Sequence, residues 1–172
     1  DSFRKACRLA LATGALACVF SPAALADDRQ YKIEAAFLYN FFNYITWPGY
    51  SEPQELQKPV ICVYGNDPIL HYLDYVRNKM ARERTLEVRS IGDRNNAAGC
   101  NLVFMRHKLN QANPLPSDTL TVFKSDDPLD RGGMIELFQE EERITIKINQ
   151  APLEQSGFKV SSRLLDLSQR VR

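Results

Sequence analysis

The 172-residue chain carries 22 Lys and Arg against 21 Asp and Glu, a formal net charge of +1, and 44% of its residues are hydrophobic. That near balance gives no electrostatic reason to expect nucleic acid or an anionic membrane as partner. The length fits one ordinary domain, and no internal repeat or low-complexity tract divides it.

Residues 1–26 read as a secretory signal peptide. Arg4, Lys5 and Arg8 form a basic end, residues 9–20 (LALATGALACVF) form an apolar run, and Ser21-Pro22 breaks it. Ala24-Leu25-Ala26 then supplies the small residues that a cut ahead of Asp27 requires. The run is too short for a stable bilayer anchor. A lipoprotein signal using Cys18 is the weaker reading, because Ala15 stands where a large aliphatic residue would be wanted. The expected product is an exported domain of residues 27–172. Of the 22 basic and 21 acidic residues, three and one leave with the leader, so the remainder carries −1.

Cys7 and Cys18 also leave, and two cysteines in an oxidising compartment, Cys62 and Cys100, read as one disulfide. Such a bridge stabilises by about 4 kcal/mol in the chain-entropy model. A zinc site needs about four ligands at short spacings, whereas His71 and His107 stand alone on separate segments. A nucleophilic cysteine wants a neighbouring base and electropositive surroundings, but Cys62 sits inside the apolar run Val60-Ile61-Cys62-Val63.

In chain order, residues 29–46 predict a helix with Ile33, Phe37, Leu38, Phe41, Phe42 and Ile45 as its buried stripe. Trp47-Pro48-Gly49 stops it. Tyr39, Tyr44 and Trp47 remain as aromatics that could line a pocket or an interface. Strand 60–64 follows, then Gly65-Asn66-Asp67-Pro68, where Asp67 caps a helix over 68–80. A phosphate cradle at Gly65 is the weaker reading, since no G-x-G-x-x-G spacing surrounds it. Residues 85–91 alternate like a half-buried strand and 101–105 read as a fully buried one. The charges Arg77, Lys79, Arg82, Arg84, Arg89 and Arg94, against Glu83, Glu87 and Asp93, read as a solvated mixed face, with an acidic partner or an anionic wall fragment as the alternative.

Strand 119–123 follows a polar segment ending in Asn113-Pro114, and Asp126-Asp127-Pro128 marks a turn. Residues 135–138 and 143–148 form a hairpin around Glu140-Glu141-Glu142. Short helices are expected at 151–155 and, capped by Ser161 or Ser162, at 163–171. The order of elements predicts a single-domain α/β sandwich, a mixed β-sheet flanked by helices, with a closing β-hairpin and a C-terminal helix.

Three stretches resemble the YfiR family in order and over nearly the whole exported part. The first is Ala35 to Phe41 with Ile45-Thr46-Trp47-Pro48. The second is the Cys62 strand with Gly65-Asn66-Asp67-Pro68 and Gly99-Cys100-Asn101. The third is Gly132-Gly133-Met134-Ile135 with Ile148-Asn149, Gly157 and Ser161 to Leu165. The resemblance implies a periplasmic regulator without known catalysis, dimeric and dependent on disulfides. It would bind the periplasmic region of an inner-membrane diguanylate cyclase or another sensor protein and hold it inactive, with an outer-membrane lipoprotein relieving the repression. Cyclic-di-GMP and biofilm formation are the outputs. The chain departs from the family's type protein at a second cysteine pair, where Leu129 and Glu136 stand here.

No nucleophile–base pair or carboxylate pair suggests an enzyme, and no cofactor motif is present. Ile135, Lys147 and Leu153, on and just beyond the hairpin, are the candidate partner-binding residues, with core packing as the competing role for Ile135 and Leu153. The alternative function is a periplasmic binder of a small ligand or peptidoglycan fragment, with Tyr39, Tyr44 and Trp47 lining the site.

Overall fold

The computed structural model describes residues 22–80, 84–92, 94–106, 115–124, 133–140 and 143–171. The expected leader core, His107, the Asn113-Pro114 and Asp126-Asp127-Pro128 turns, Leu129 and Glu141-Glu142 lie outside them.

Helix α1 (Pro22–Tyr44) runs into a two-residue strand β1 (Ile45–Thr46). Strand β2 (Val60–Tyr64), helix α2 (Ile69–Met80) and strand β3 (Glu87–Ile91) form a parallel β-α-β unit. Strands β4 (Leu102–Met105), β5 (Leu120–Lys124), β6 (Ile135–Glu140) and β7 (Arg143–Asn149) follow. The chain closes with α3 (Gln150–Gln155), β8 (Lys159–Val160), α4 (Ser162–Asp166) and β9 (Ser168–Val171). The main sheet has seven strands in the order β3-β2-β4-β5-β6-β7-β9. It is parallel from β3 to β6, while the β6–β7 hairpin is antiparallel.

The expected α/β domain with a mixed sheet is the one observed, and its side-chain parity explains the packing. Ile61, Val63, Leu102, Phe104, Leu120, Val122, Ile135, Leu137, Ile146 and Ile148 face α1 and form the main core. Their neighbours Val60, Cys62, Val103, Met105 and Phe123 face the other way and form a smaller core with Ala97 and Cys100. Strand β4 is therefore buried on both faces, which is why it reads as an unbroken apolar run. Strand β3, at the sheet edge, exposes Glu87, Arg89 and Ser90. Charges on an edge strand oppose pairing with another chain.

Three expectations need adjustment. Helix α1 ends at Tyr44 because Ile45 and Thr46 pair with Val160 and Lys159, and the Ser161 amide donates to the Tyr44 carbonyl at 2.9 Å. Its buried face is also rotated: Glu34, Ala35, Leu38, Phe41 and Phe42 are buried, while Ile33 and Phe37 are only half-buried. The last expected helix is capped by Ser161, whose hydroxyl accepts from the Leu164 amide, but it stops at Asp166. Residues 168–171 instead extend the sheet as β9, parallel to β7.

Before β6, Gly133 has φ +87°, and a Cβ there would sit 2.6 Å from Phe123 Cδ2. The Met134 amide beside it donates to the Thr121 hydroxyl at 2.9 Å, which holds the turn against β5. Gly133→Ala is expected to lower stability by about 1–3 kcal/mol, through left-handed strain and a displaced Phe123. Urea denaturation would register this as a lower midpoint at unchanged slope.

Candidate functional site

Open parallel sheets bind ligands outside the carboxyl ends of their strands, where the chain order reverses. That point falls here between β2 and β4, since the chain leaves β2 toward β3 on one side and returns to β4 on the other. The turn after β2 carries Asp67, and Arg106 directly follows β4. Arg106 Nε donates to Asp67 Oδ2 at 2.7 Å, and its Nη2 donates to Glu34 Oε2 at 2.9 Å and to Asp67 Oδ1 at 3.2 Å. Glu34 is completely buried on α1, and the guanidinium lies 5.0 Å from the Tyr31 ring centroid. Burial alone would pull the Arg106 pKa down, but the hydrogen bonds from Arg106 to Asp67 and Glu34 more than reverse this and raise it above its ordinary value.

Asp67 also accepts from the Ile69 amide at 2.9 Å, so it caps α2 as the sequence indicates. A phosphate at this turn would meet a carboxylate already committed to an arginine. The crevice is filled by the protein's own charges, which argues against a nucleotide there. Lys124, the last residue of β5 on the neighbouring strand, is 1% exposed. Sequence reasoning missed this cluster. Its signals were a glutamate inside an apolar helix stripe and an arginine directly after a buried strand.

At the opposite end of the sheet, Cys62 of β2 and Cys100, just before β4, form the expected disulfide with Cα atoms 5.8 Å apart. Asn101 next to it accepts from the Val60 amide through Oδ1 (2.9 Å) and from the Trp47 indole through its carbonyl (3.1 Å). Trp47 stacks on Phe42 at 4.7 Å and meets Phe158 edge-on at 5.7 Å. It is 3% exposed and fastens the end of α1 rather than lining a pocket. Arg84 belongs to this region too. It is buried and donates to the Phe42 and Pro53 carbonyls at 2.8 and 3.2 Å, which removes it from the expected solvated face. Burial shifts its pKa down from the ordinary arginine value.

The three candidate partner-binding residues do not share a surface. Ile135 and Leu153 are each 1% exposed within the main core. Lys147 pairs in register with Glu136, one residue out of phase with Ile135, and therefore lies on the opposite face of the hairpin. There its ammonium sits 3.8 Å from the Phe138 ring centroid. The half-exposed Phe138, Thr145, Lys147 and Glu136 make up the accessible hairpin face.

Of the three aromatics expected at a site, Tyr39 lines a groove. A groove of about 210 Å³ separates α1 from α2, between the stripe Lys32, Ala36, Tyr39 and Asn40 and the stripe Tyr72, Tyr75, Val76 and Lys79. Tyr72 stacks on Tyr31 at 5.3 Å and donates to Asp28 at 3.0 Å. Hydrogen bonds from Lys32 and then Tyr72 hold the Asp28 carboxyl below its ordinary pKa, and the bond to Asp28 raises that of Tyr72. Tyr44 lies outside this groove and packs against the main core.

Among the described residues, no three His, Cys, Asp or Glu side chains converge as a metal site, and no helix is long and apolar enough to cross a membrane. Against known families, residues 31–169 match the model described as YfiR/HmsC-like. The chain belongs to the YfiR/HmsC-like family. Comparison with curated proteins gives no match, so no individual relative lends a partner or a ligand. Membership supports, at family level, a periplasmic regulator of diguanylate cyclase signalling, regulatory rather than catalytic. The disulfide fits that oxidising compartment.

Arg106→Met is expected to destabilise the domain by about 3–5 kcal/mol, because it leaves Glu34 buried without its cation. Guanidinium titration of the purified variant would measure the loss. An unchanged midpoint would mean that Glu34 finds water or another donor.

Proposed function

We propose that this chain is an exported, non-catalytic regulator that binds the periplasmic part of an inner-membrane diguanylate cyclase and holds it inactive. The observation that carries the reading is the family match across 31–169, together with the Cys62–Cys100 bridge. The leader is cut after Ala26, within the span of α1. Asp27 and Asp28 would then form the first turn of the remaining helix, where negative charge is favoured. Repression works by differential binding, in which the regulator prefers the cyclase's inactive state and shifts the population toward it. An outer-membrane lipoprotein competing for the regulator would lift the repression, and the working form is a homodimer.

The hairpin face around Phe138 and Lys147 is the surface proposed to meet the cyclase. An aromatic with a cation beside it is the kind of anchor that dominates interfaces. Ile135 and Leu153 support that face from within the core. The bridge is structural: among the described residues one pair forms, and Leu129 and Glu136 stand in the neighbourhood of the type protein's second pair.

A second reading, a periplasmic binder of a small ligand or peptidoglycan fragment, draws on the α1–α2 groove.

The test is capture from envelope extract with the 27–172 protein, followed by mass spectrometry. Oxidised protein should retain a diguanylate cyclase, and a Cys62→Ser/Cys100→Ser form should retain less. Lys147→Glu should stay folded by circular dichroism yet lose the cyclase, whereas Ile135→Asp should unfold. Equal capture by Lys147→Glu would remove the hairpin face from the account. Folded protein that retains no membrane partner would remove the repressor reading.

A further inference from the structure

The α1–α2 groove has features that packing of the two helices does not require. Leu73 and Ile69 of α2 and Leu38 of α1 are fully buried and already join the helices to the core. The groove lies beside that contact, and Ala36 opens it where a larger residue would close it. Tyr75 on its wall is 61% exposed, so its ring is accessible to an occupant of the groove. Tyr72 is held in place on both sides of its ring system, by the stack on Tyr31 and the bond to Asp28, so the wall is preorganised.

Size and charge then narrow the occupant. An apolar cavity of about 150 Å³ holds benzene, and this one is larger, about 210 Å³. The α1 stripe from Lys32 to Asn40 spans about 12 Å of helix, which suits a medium-length chain rather than a compact ring. The two charged residues lining the groove are both lysines. Lys32 is engaged by Asp28 in an exposed ion pair, of the kind that contributes little and exchanges readily. Lys79, in the last turn of α2, completes the cationic rim.

We propose that the groove binds an amphiphilic monoanion: an apolar chain of medium length ending in a carboxylate, lying over Ala36 and Val76 with its head at Lys79. This rests on the small-ligand reading and gives that ligand a chemical class and a site. It does not depend on the cyclase. The site differs from the aromatic set expected from sequence, sharing only Tyr39 with it.

Isothermal titration of the processed protein with decanoate, decanol, decylamine and a soluble muropeptide tests the proposal. Decanoate should bind at one saturable site, about tenfold or more tighter than decanol, and decylamine should bind more weakly still. Lys79→Glu, on the rim, should weaken decanoate by about tenfold or more at an unchanged urea midpoint, and Ala36→Trp should abolish binding by filling the groove. The Lys79→Glu result decides the matter if Ala36→Trp fails to fold. Absence of saturable decanoate binding overturns the proposal, as does equal affinity for decylamine or full binding by folded Ala36→Trp. Muropeptide binding without decanoate binding overturns this ligand class and leaves the small-ligand reading standing, whereas binding of neither removes both.

Discussion

Asn101 joins three parts of the chain that are far apart in sequence. Its amide and side-chain oxygen exchange hydrogen bonds with the Val60 carbonyl and amide, at 3.0 and 2.9 Å. Its carbonyl accepts from both the Leu120 amide, at 2.8 Å, and the Trp47 indole, at 3.1 Å. One residue thus sets the start of β2, the start of β5 and the end of α1. The adjacent Cys100 is bridged to Cys62, so the same junction is also closed covalently. Each such hydrogen bond contributes about 1 kcal/mol net, but a buried donor left without a partner costs more than that. The rest of the sheet inherits its register from this point. Trp47, fixed at the junction, in turn receives Phe158 and through it the carboxyl-terminal segment.

This arrangement explains why the family is legible from scattered short motifs. Trp47-Pro48, Gly65 to Pro68, Gly99 to Asn101, Gly133-Met134 and Gly157 to Ser161 are all joints. They are a helix stop, a capped turn, a bridged corner, a left-handed turn against Phe123 and a return to Tyr44. Each demands particular residue types for backbone or hydrogen-bonding reasons, and each is local enough to be visible in sequence. Such motifs identify the scaffold, and functional surfaces on the same scaffold are free to differ.

The strands in the centre of the sheet were legible because burial on both faces leaves only apolar residues, as in Leu102 to Met105. The end of the chain was not. Leu164, Leu165 and Leu167 suit a helix by spacing, but the open edge of β7 draws residues 168–171 into the sheet, and that pull is tertiary. The same limit applied to the candidate site. Strand parity puts Ile135 and Lys147 on opposite faces once the hairpin register is known, and register depends on a turn that composition does not determine. Glu34 went unnoticed because its cation, Arg106, lies far along the chain. Nothing local singles out Tyr72 and Tyr75, since the small residue that gives them a groove, Ala36, belongs to another helix.

A scaffold closed at one end by Asn101 and the disulfide, and at the other by the Arg106 cluster, holds the hairpin face and the helix groove in fixed relation. That suits a protein that acts by being bound or withheld rather than by turning over a substrate. The most direct measurement of this claim is the intracellular cyclic-di-GMP level in host cells lacking the chain, compared with the same cells supplied with its exported form. The level should be raised without the protein and brought back down by the exported form. A level that does not respond to the protein's presence would contradict it.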